Sequence, residues 1–189
     1  NRSIFALNHL FTAGSVGGKA VPRRARGGGG SGGTVGMIDG SVVPGALGGS
    51  VVAANFAGGR GGRADHGTAV AAILAGEGVG KIYAANIFDG QRASAAAMIR
   101  ALDWMAKNRV PVVNISLAGP PNPIVHRMIG LLRQRGHAVV AAVGNDGPAA
   151  PPAYPASYPG VIAVTGVDGR NRPLIEAVRS LHLDYAAPG

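Results

Sequence analysis

The sequence contains no cysteine, so neither a disulfide nor a thiolate zinc site can staple it, and thiol redox chemistry is excluded. Aromatic residues are scarce at 5% and charged residues at 14%, whereas hydrophobic residues reach 47% and glycines number 32. That balance excludes a solvated, disordered chain and points to a buried sheet among helices. Long apolar runs are missing as well: none approaches the roughly 18 to 20 residues needed to span a bilayer, so no membrane span is expected. Acids are few, 9 against 18 Lys and Arg, and none precedes residue 34. The net charge of +9 therefore draws on an N-terminal stretch where Arg2, Lys19, Arg23, Arg24 and Arg26 stand unopposed.

What is present suits one main domain, since 189 residues can bury a sizeable core but hardly two. Residues 1–33 end in "PRRARGGGGSGG" and read as a flexible basic arm or linker, beginning at Asn1 in the manner of a processed end. From Thr34 to Gly189 short apolar runs alternate with helical patterns: "TVGMID", "HGTAVAAILAG", "KIYAANIF", "SAAAMIRALDWMAKN", "PVVNISLA", "PIVHRMIGLLRQRG", "AVVAAVGN" and "VIAVTGV". Ala97, Met98, Ala101, Leu102 and Met105 recur at three- and four-residue steps, as do Val125, Met128, Ile129 and Leu132 before a stop at Gly136. Strands apolar on both faces, joined by helical crossovers, predict a doubly wound, mostly parallel sheet with helices on both faces.

In such sheets the site lies beyond the carboxyl ends of the strands. Asp39 follows one run, Asn114 and Ser116 sit in another, Asn145 and Asp146 follow a third, and His66 opens a helix. A carboxylate that accepts from one ring nitrogen fixes a histidine's tautomer and leaves the other nitrogen to take a proton. The positive end of a helix disfavours imidazolium, so a base at that place needs a carboxylate nearby. Asp39 fits that need better than Asp65, because side chains adjacent in sequence diverge. An asparagine amide on a glycine-flanked turn, as at Asn145, can donate to a developing oxyanion. "NISLAG" offers an extended small-residue edge on which a peptide could add as a strand. Asn114 reads as a structural hydrogen-bonder, and Asp65, Asp89 and Asp168 as loop charges.

Six segments in order, "VGMIDGSV", "HGTAVAAILAG", "NISLAG", "AAVGNDG", "YPASYPGVIAVTGVD" and "DYAAPG", make Thr34 to Gly189 resemble a subtilisin-like serine protease. The resemblance implies a serine endopeptidase with Asp39 and His66 in the triad and Asn145 as side-chain oxyanion donor. It implies that Ser116, Leu117 and Ala118 border the substrate cleft, opposite Ala142, Val143 and Gly144. It further implies a peptide or protein substrate, a propeptide to which residues 1–33 could belong, and a secreted or cell-envelope location. No cofactor is required; calcium enters by family analogy alone, with no ligands assigned. The sequence departs from the family in that no serine stands in a Gly-Thr-Ser motif, which the family carries beyond the segment matching Ala187, Pro188 and Gly189. The chain alone is therefore expected to lack the nucleophile and turnover. The family's Asp-Ser/Thr-Gly is Asp39-Gly40-Ser41 here, and the glycine common after "HGTxVA" is Ala72.

Two other readings compete. A protease-like peptide binder without catalysis would also lack the serine. An Arg/Gly-rich nucleic-acid binder would use "RRARGGGG" and "GGRGGRAD", but no aromatic residue lies among those arginines to stack on bases, so no nucleic-acid partner is expected.

Overall fold

The computed structural model describes residues 10–13, 32–43, 47, 50–59, 64–178 and 180–188. Its elements run β1 (Leu10–Ala13), β2 (Thr34–Asp39), β3 (Ser50–Asn55), α1 (Ala64–Gly76), β4 (Lys81–Asn86), β5 (Phe88–Asp89), β6 (Arg92–Ser94), α2 (Ala95–Lys107), β7 (Val112–Ile115), β8 (Leu117–Ala118), α3 (Pro123–Gln134), β9 (Ala138–Ala142), β10 (Ile162–Val167) and β11 (Tyr185–Pro188). Seven strands form one sheet in the order β11-β10-β9-β7-β2-β4-β3, and each neighbouring pair is parallel. The remaining four form a small antiparallel sheet, β5-β6-β1-β8.

Alternation along β2 shows how the layers are built. Met37 packs in one buried cluster with Ala71 of α1 and Ile82, while Ile38 packs in a second with Met98, Leu102 and Met105 of α2 and Ile129 of α3. Consecutive side chains point to opposite faces of a strand, so α1 covers one face and α2 with α3 the other. The expected doubly wound sheet with helices on both faces is what the structure has. All five residues placed inward on α2 are buried, as are Val125, Ile129 and Leu132 of α3, whereas Met128 is partly buried. Ser94 caps α2 by accepting from the Ala97 N–H at 3.1 Å. Asn122 caps α3 by accepting from Ile124 and Val125 at 3.0 and 3.1 Å, with Pro123 in the first turn and Gly136 (φ 86°) just past its end.

Three sequence boundaries move. The helix bearing His66 begins at Ala64, so the histidine lies within its first turn. "KIYAANIF" divides at Ile87, and "PVVNISLA" divides at Ser116, each time passing from the large sheet to the small one. The runs at 10–13, 50–55, 92–94 and 185–188 are strands that the sequence reading did not contain. Of residues 1–33, assigned to the arm, only 10–13 and 32–33 fall within the described residues.

Candidate active site

Asp39 ends β2, between Asn86 of β4 on one side and the end of β7 on the other. It is fully buried, and its Oδ1 accepts from the Gly40 N–H at 2.6 Å. His66 Nδ1 lies 2.7 Å from the same oxygen, with 19% of the histidine side chain exposed. A carboxylate has no proton to give, so Nδ1–H is the donor and Nε2 becomes the nitrogen available for proton transfer. The other carboxylate oxygen, Asp39 Oδ2, is buried and has no hydrogen-bond partner among the described residues.

The approach of α1 to this strand end rests on Gly67. A side chain there would meet the Gly40 carbonyl oxygen 2.6 Å from its Cβ, so only glycine lets the first turn lie against the Asp39-Gly40-Ser41 backbone. Thr68 Oγ1 accepts from the Val43 N–H at 3.0 Å, which ties the segment after Asp39 to the same helix.

A polar row missed by the sequence reading supports this rim. Asn55, Asn86 and Asp39 stand in register at the carboxyl ends of β3, β4 and β2. Asn86 Nδ2 donates to Asn55 Oδ1 at 2.9 Å, and its own Oδ1 accepts from the Phe88 N–H at 3.1 Å. Asn55 Oδ1 also accepts from the Ala57 N–H at 3.0 Å, while its Nδ2 donates to the Gly59 carbonyl at 3.2 Å. Residues 57–59 are thereby held on Asn55, which Asn86 in turn fixes. A signal was available: both end an identical Ala-Ala-Asn tripeptide, 53–55 and 84–86.

The other candidate residues lie on neighbouring loops and strands of this edge. Ser116 donates its N–H to Ile38 O at 3.4 Å, and its Oγ accepts from Asn114 Nδ2 at 2.7 Å, the structural bond expected of that asparagine. Leu117 and Ala118 are buried in β8. Ala142 ends β9, Val143 donates its N–H to Val164 O at 3.0 Å, and Gly144 takes φ 93°. A Cβ on Gly144 would lie 3.0 Å from the Ala118 Cβ, so these two segments abut. Asn145 follows in the turn, half-buried. A cavity of about 430 Å³ lies elsewhere, walled by Tyr154, Tyr158, His126 and prolines 121, 123 and 159. Asp168 accepts from Arg172 and from the Arg170 and Arg172 N–H groups, which holds its carboxyl below the usual range; it is a loop charge. Among the described residues no group of three His, Asp or Glu side chains could hold a metal ion. No helix among them is long and apolar enough to cross a membrane.

β1 runs antiparallel to β8, pairing Thr12 with Ala118 and Ala13 with Leu117, and antiparallel to β6, pairing Leu10 with Ser94 and Phe11 with Ala93.

Residues 56–188 match the model of the subtilase peptidase family. Among curated relatives, the minor extracellular protease Epr of Bacillus subtilis is 32% identical over 94 residues, 49% of this chain and 15% of that protein. Subtilisin Savinase of Lederbergia lenta is 34% identical over 97 residues, 51% of this chain and 36% of that one. The match thus spans well under half the length of either relative. Among solved structures, the protease domain of PatA superposes with a TM-score of 0.72 at 24% identity, covering 85% of this chain and 70% of that domain. That likeness is one of fold.

Proposed function

Because the chain belongs to the subtilase family, we propose that it carries the base and orienting residue of a Ser/His/Asp endopeptidase site and the groove for its peptide substrate. In this reading His66 takes a proton at Nε2 from a serine hydroxyl as it attacks a peptide carbonyl, then returns it to the leaving amine. Asp39 holds the imidazole in the required tautomer, and Asn145 donates to the tetrahedral oxyanion. Ser116, Leu117 and Ala118 line one side of the groove, and Ala142, Val143 and Gly144 the other. The observation that carries the reading is the 2.7 Å bond from a partly exposed His66 to a fully buried Asp39. No serine of the chain stands in a Gly-Thr-Ser motif, so the chain by itself binds peptide without covalent turnover. By likeness to a relative named as extracellular, we place the whole protein outside the cell or in its envelope.

Two measurements test this. In proton NMR, the Nδ1–H of His66 is expected as a downfield, exchange-protected signal that disappears in Asp39→Asn; its persistence there would remove Asp39 from its role. Extending Gly189 with the serine-bearing segment of Subtilisin Savinase is expected to confer hydrolysis of chromogenic peptides and labelling by a fluorophosphonate. His66→Ala in that fusion should cut turnover about 10²- to 10⁴-fold, the usual worth of a positioned base. Labelling of the unextended chain at any serine would refute the assignment of the nucleophile.

A further inference from the structure

The two helices that share a face of the sheet, α2 and α3, end in the same backbone turn. After α2, the Arg109 and Val110 N–H groups donate to the Ala106 and Met105 carbonyls at 3.0 and 3.1 Å; after α3, those of Gly136 and His137 donate to Arg133 and Leu132 at 2.9 and 3.1 Å. The residue that closes such a turn is left-handed, and it is Gly136 (φ 86°) in one case but Arg109 (φ 52°) in the other. A side chain is disfavoured in that conformation, which glycine adopts freely. Arginine holds the position all the same, exposed and in no ion pair among the described residues.

Its surroundings carry one sign. His137 Nδ1 donates to Val110 O at 2.6 Å and the Ala138 N–H to Pro111 O at 2.8 Å, so the turn of Arg109 lies against that of Arg135. Arg135 is likewise exposed and in no ion pair among the described residues. Arg133 donates to Pro159 O at 3.1 Å, just before β10. Lys81 opens β4 with its Nζ 4.9 Å from the Tyr83 ring centre, and Tyr83 packs on Trp104 of α2 at 5.4 Å, so this lysine shares the α2 face. No Asp or Glu occurs from residue 104 to 145, and Asp103 is already bonded to Lys107 at 2.6 Å. Glu77 follows α1, which covers the other face. The cations thus stand at the amino ends of β10, β9, β7 and β4, a row about 19 Å across at the usual strand spacing of about 4.8 Å. An extended segment of about six residues has that reach. We propose that this corner is an exosite for an extended acidic segment of a partner polypeptide, bound by charge and leaving the His66 rim, at the carboxyl ends of the strands, free. An acidic polypeptide fits better than a nucleic acid, because Tyr83 and Trp104 are partly buried against one another and leave no ring here to stack on a base.

The test uses the whole chain and two variants of equal charge, Arg109→Gly/Arg135→Gln at this corner and Arg92→Gln/Arg170→Gln beyond the carboxyl ends of β4 and β10. Glycine relieves the left-handed turn, so the first variant keeps its fold, which circular dichroism checks. Acetyl-hexaglutamate-amide and a short DNA duplex are titrated separately and followed by amide NMR at about 0.1 M salt, where charges act over about 10 Å and remote ones are screened. Hexaglutamate is expected to shift the amides of Lys81, Arg109, Arg135 and His137. Its affinity should fall by about fivefold or more in the corner variant, the worth of two exposed ion pairs, and by no more than about twofold in the other. Equal losses in the two variants would reduce the effect to net charge and overturn the exosite. Failure of hexaglutamate to shift these amides would overturn it as well. Shifts of the same amides by the DNA alone would replace the acidic polypeptide with a nucleic acid as occupant. None of these results bears on His66, so the proposed function stands or falls by its own tests.

Discussion

At the scale of single residues, Tyr158 shows how one side chain secures a loop. Its hydroxyl donates to the Asn122 carbonyl at 2.9 Å and accepts from the Asn122 N–H at 2.7 Å, so the cap residue of α3 is held by both backbone groups. Tyr158→Phe removes both bonds, leaving the Asn122 carbonyl to the His126 N–H at 2.9 Å, and is expected to cost about 1–3 kcal/mol in denaturant unfolding. Burial raises the phenol above its ordinary value near 10, against a smaller opposing effect from the Asn122 bond. Its neutral form therefore adds stability that is full below that ordinary value and is lost as pH rises through the higher folded one. The alkaline unfolding limb should flatten in Tyr158→Phe, and an unchanged limb would show that another group governs it. Of the site, Asp39 and His66 were legible because residue type, order and place at a strand end and a helix start agree. Asn55 and Asn86 were not, since an asparagine ending a strand looks the same whether it caps a turn or pairs across a sheet.

At the scale of elements, legibility followed the range of the interactions. α2 and α3 declare themselves through apolar spacing and caps, which are local. β1 and β11 gain their bonds from partners remote in sequence, and strands of four residues or fewer, β6 among them, give no periodicity to read. The seating of α1 is equally non-local, because nothing near Gly67 in sequence reveals that Gly40 lies against it. Gly67→Ala is expected to destabilise by about 1–3 kcal/mol, the scale of overpacking where backbone cannot yield easily. It should also weaken the downfield His66 proton, since the helix must retreat from Asp39. A variant that melts as the parent does and keeps that proton would show the contact to be accommodated. Ser94→Ala, which removes the cap of α2 without touching the site, should cost about 1 kcal/mol and leave the His66 signal in place.

At the scale of the whole molecule, β11 forms one edge of the large sheet. β11 is exposed at every residue, and near it Ile175 (90% exposed), Leu181 (69%), Leu183 (54%) and Tyr185 (64%) present apolar surface to solvent. An exposed strand edge beside such surface favours association. Light scattering during size exclusion is expected to report mass that rises with concentration, reduced in Leu181→Lys/Leu183→Lys; a concentration-independent monomer would show that this edge is protected. The small sheet bears on timing. β1 is the first of these strands in sequence, yet its partner at 92–94 lies beyond β2, α1 and β4, and its partner at 117–118 beyond α2 and β7 as well. Loop-closure entropy disfavours so distant a pairing until those intervening elements are in place. The strand at 10–13 is thus seated late in folding, after the elements that carry its two partners.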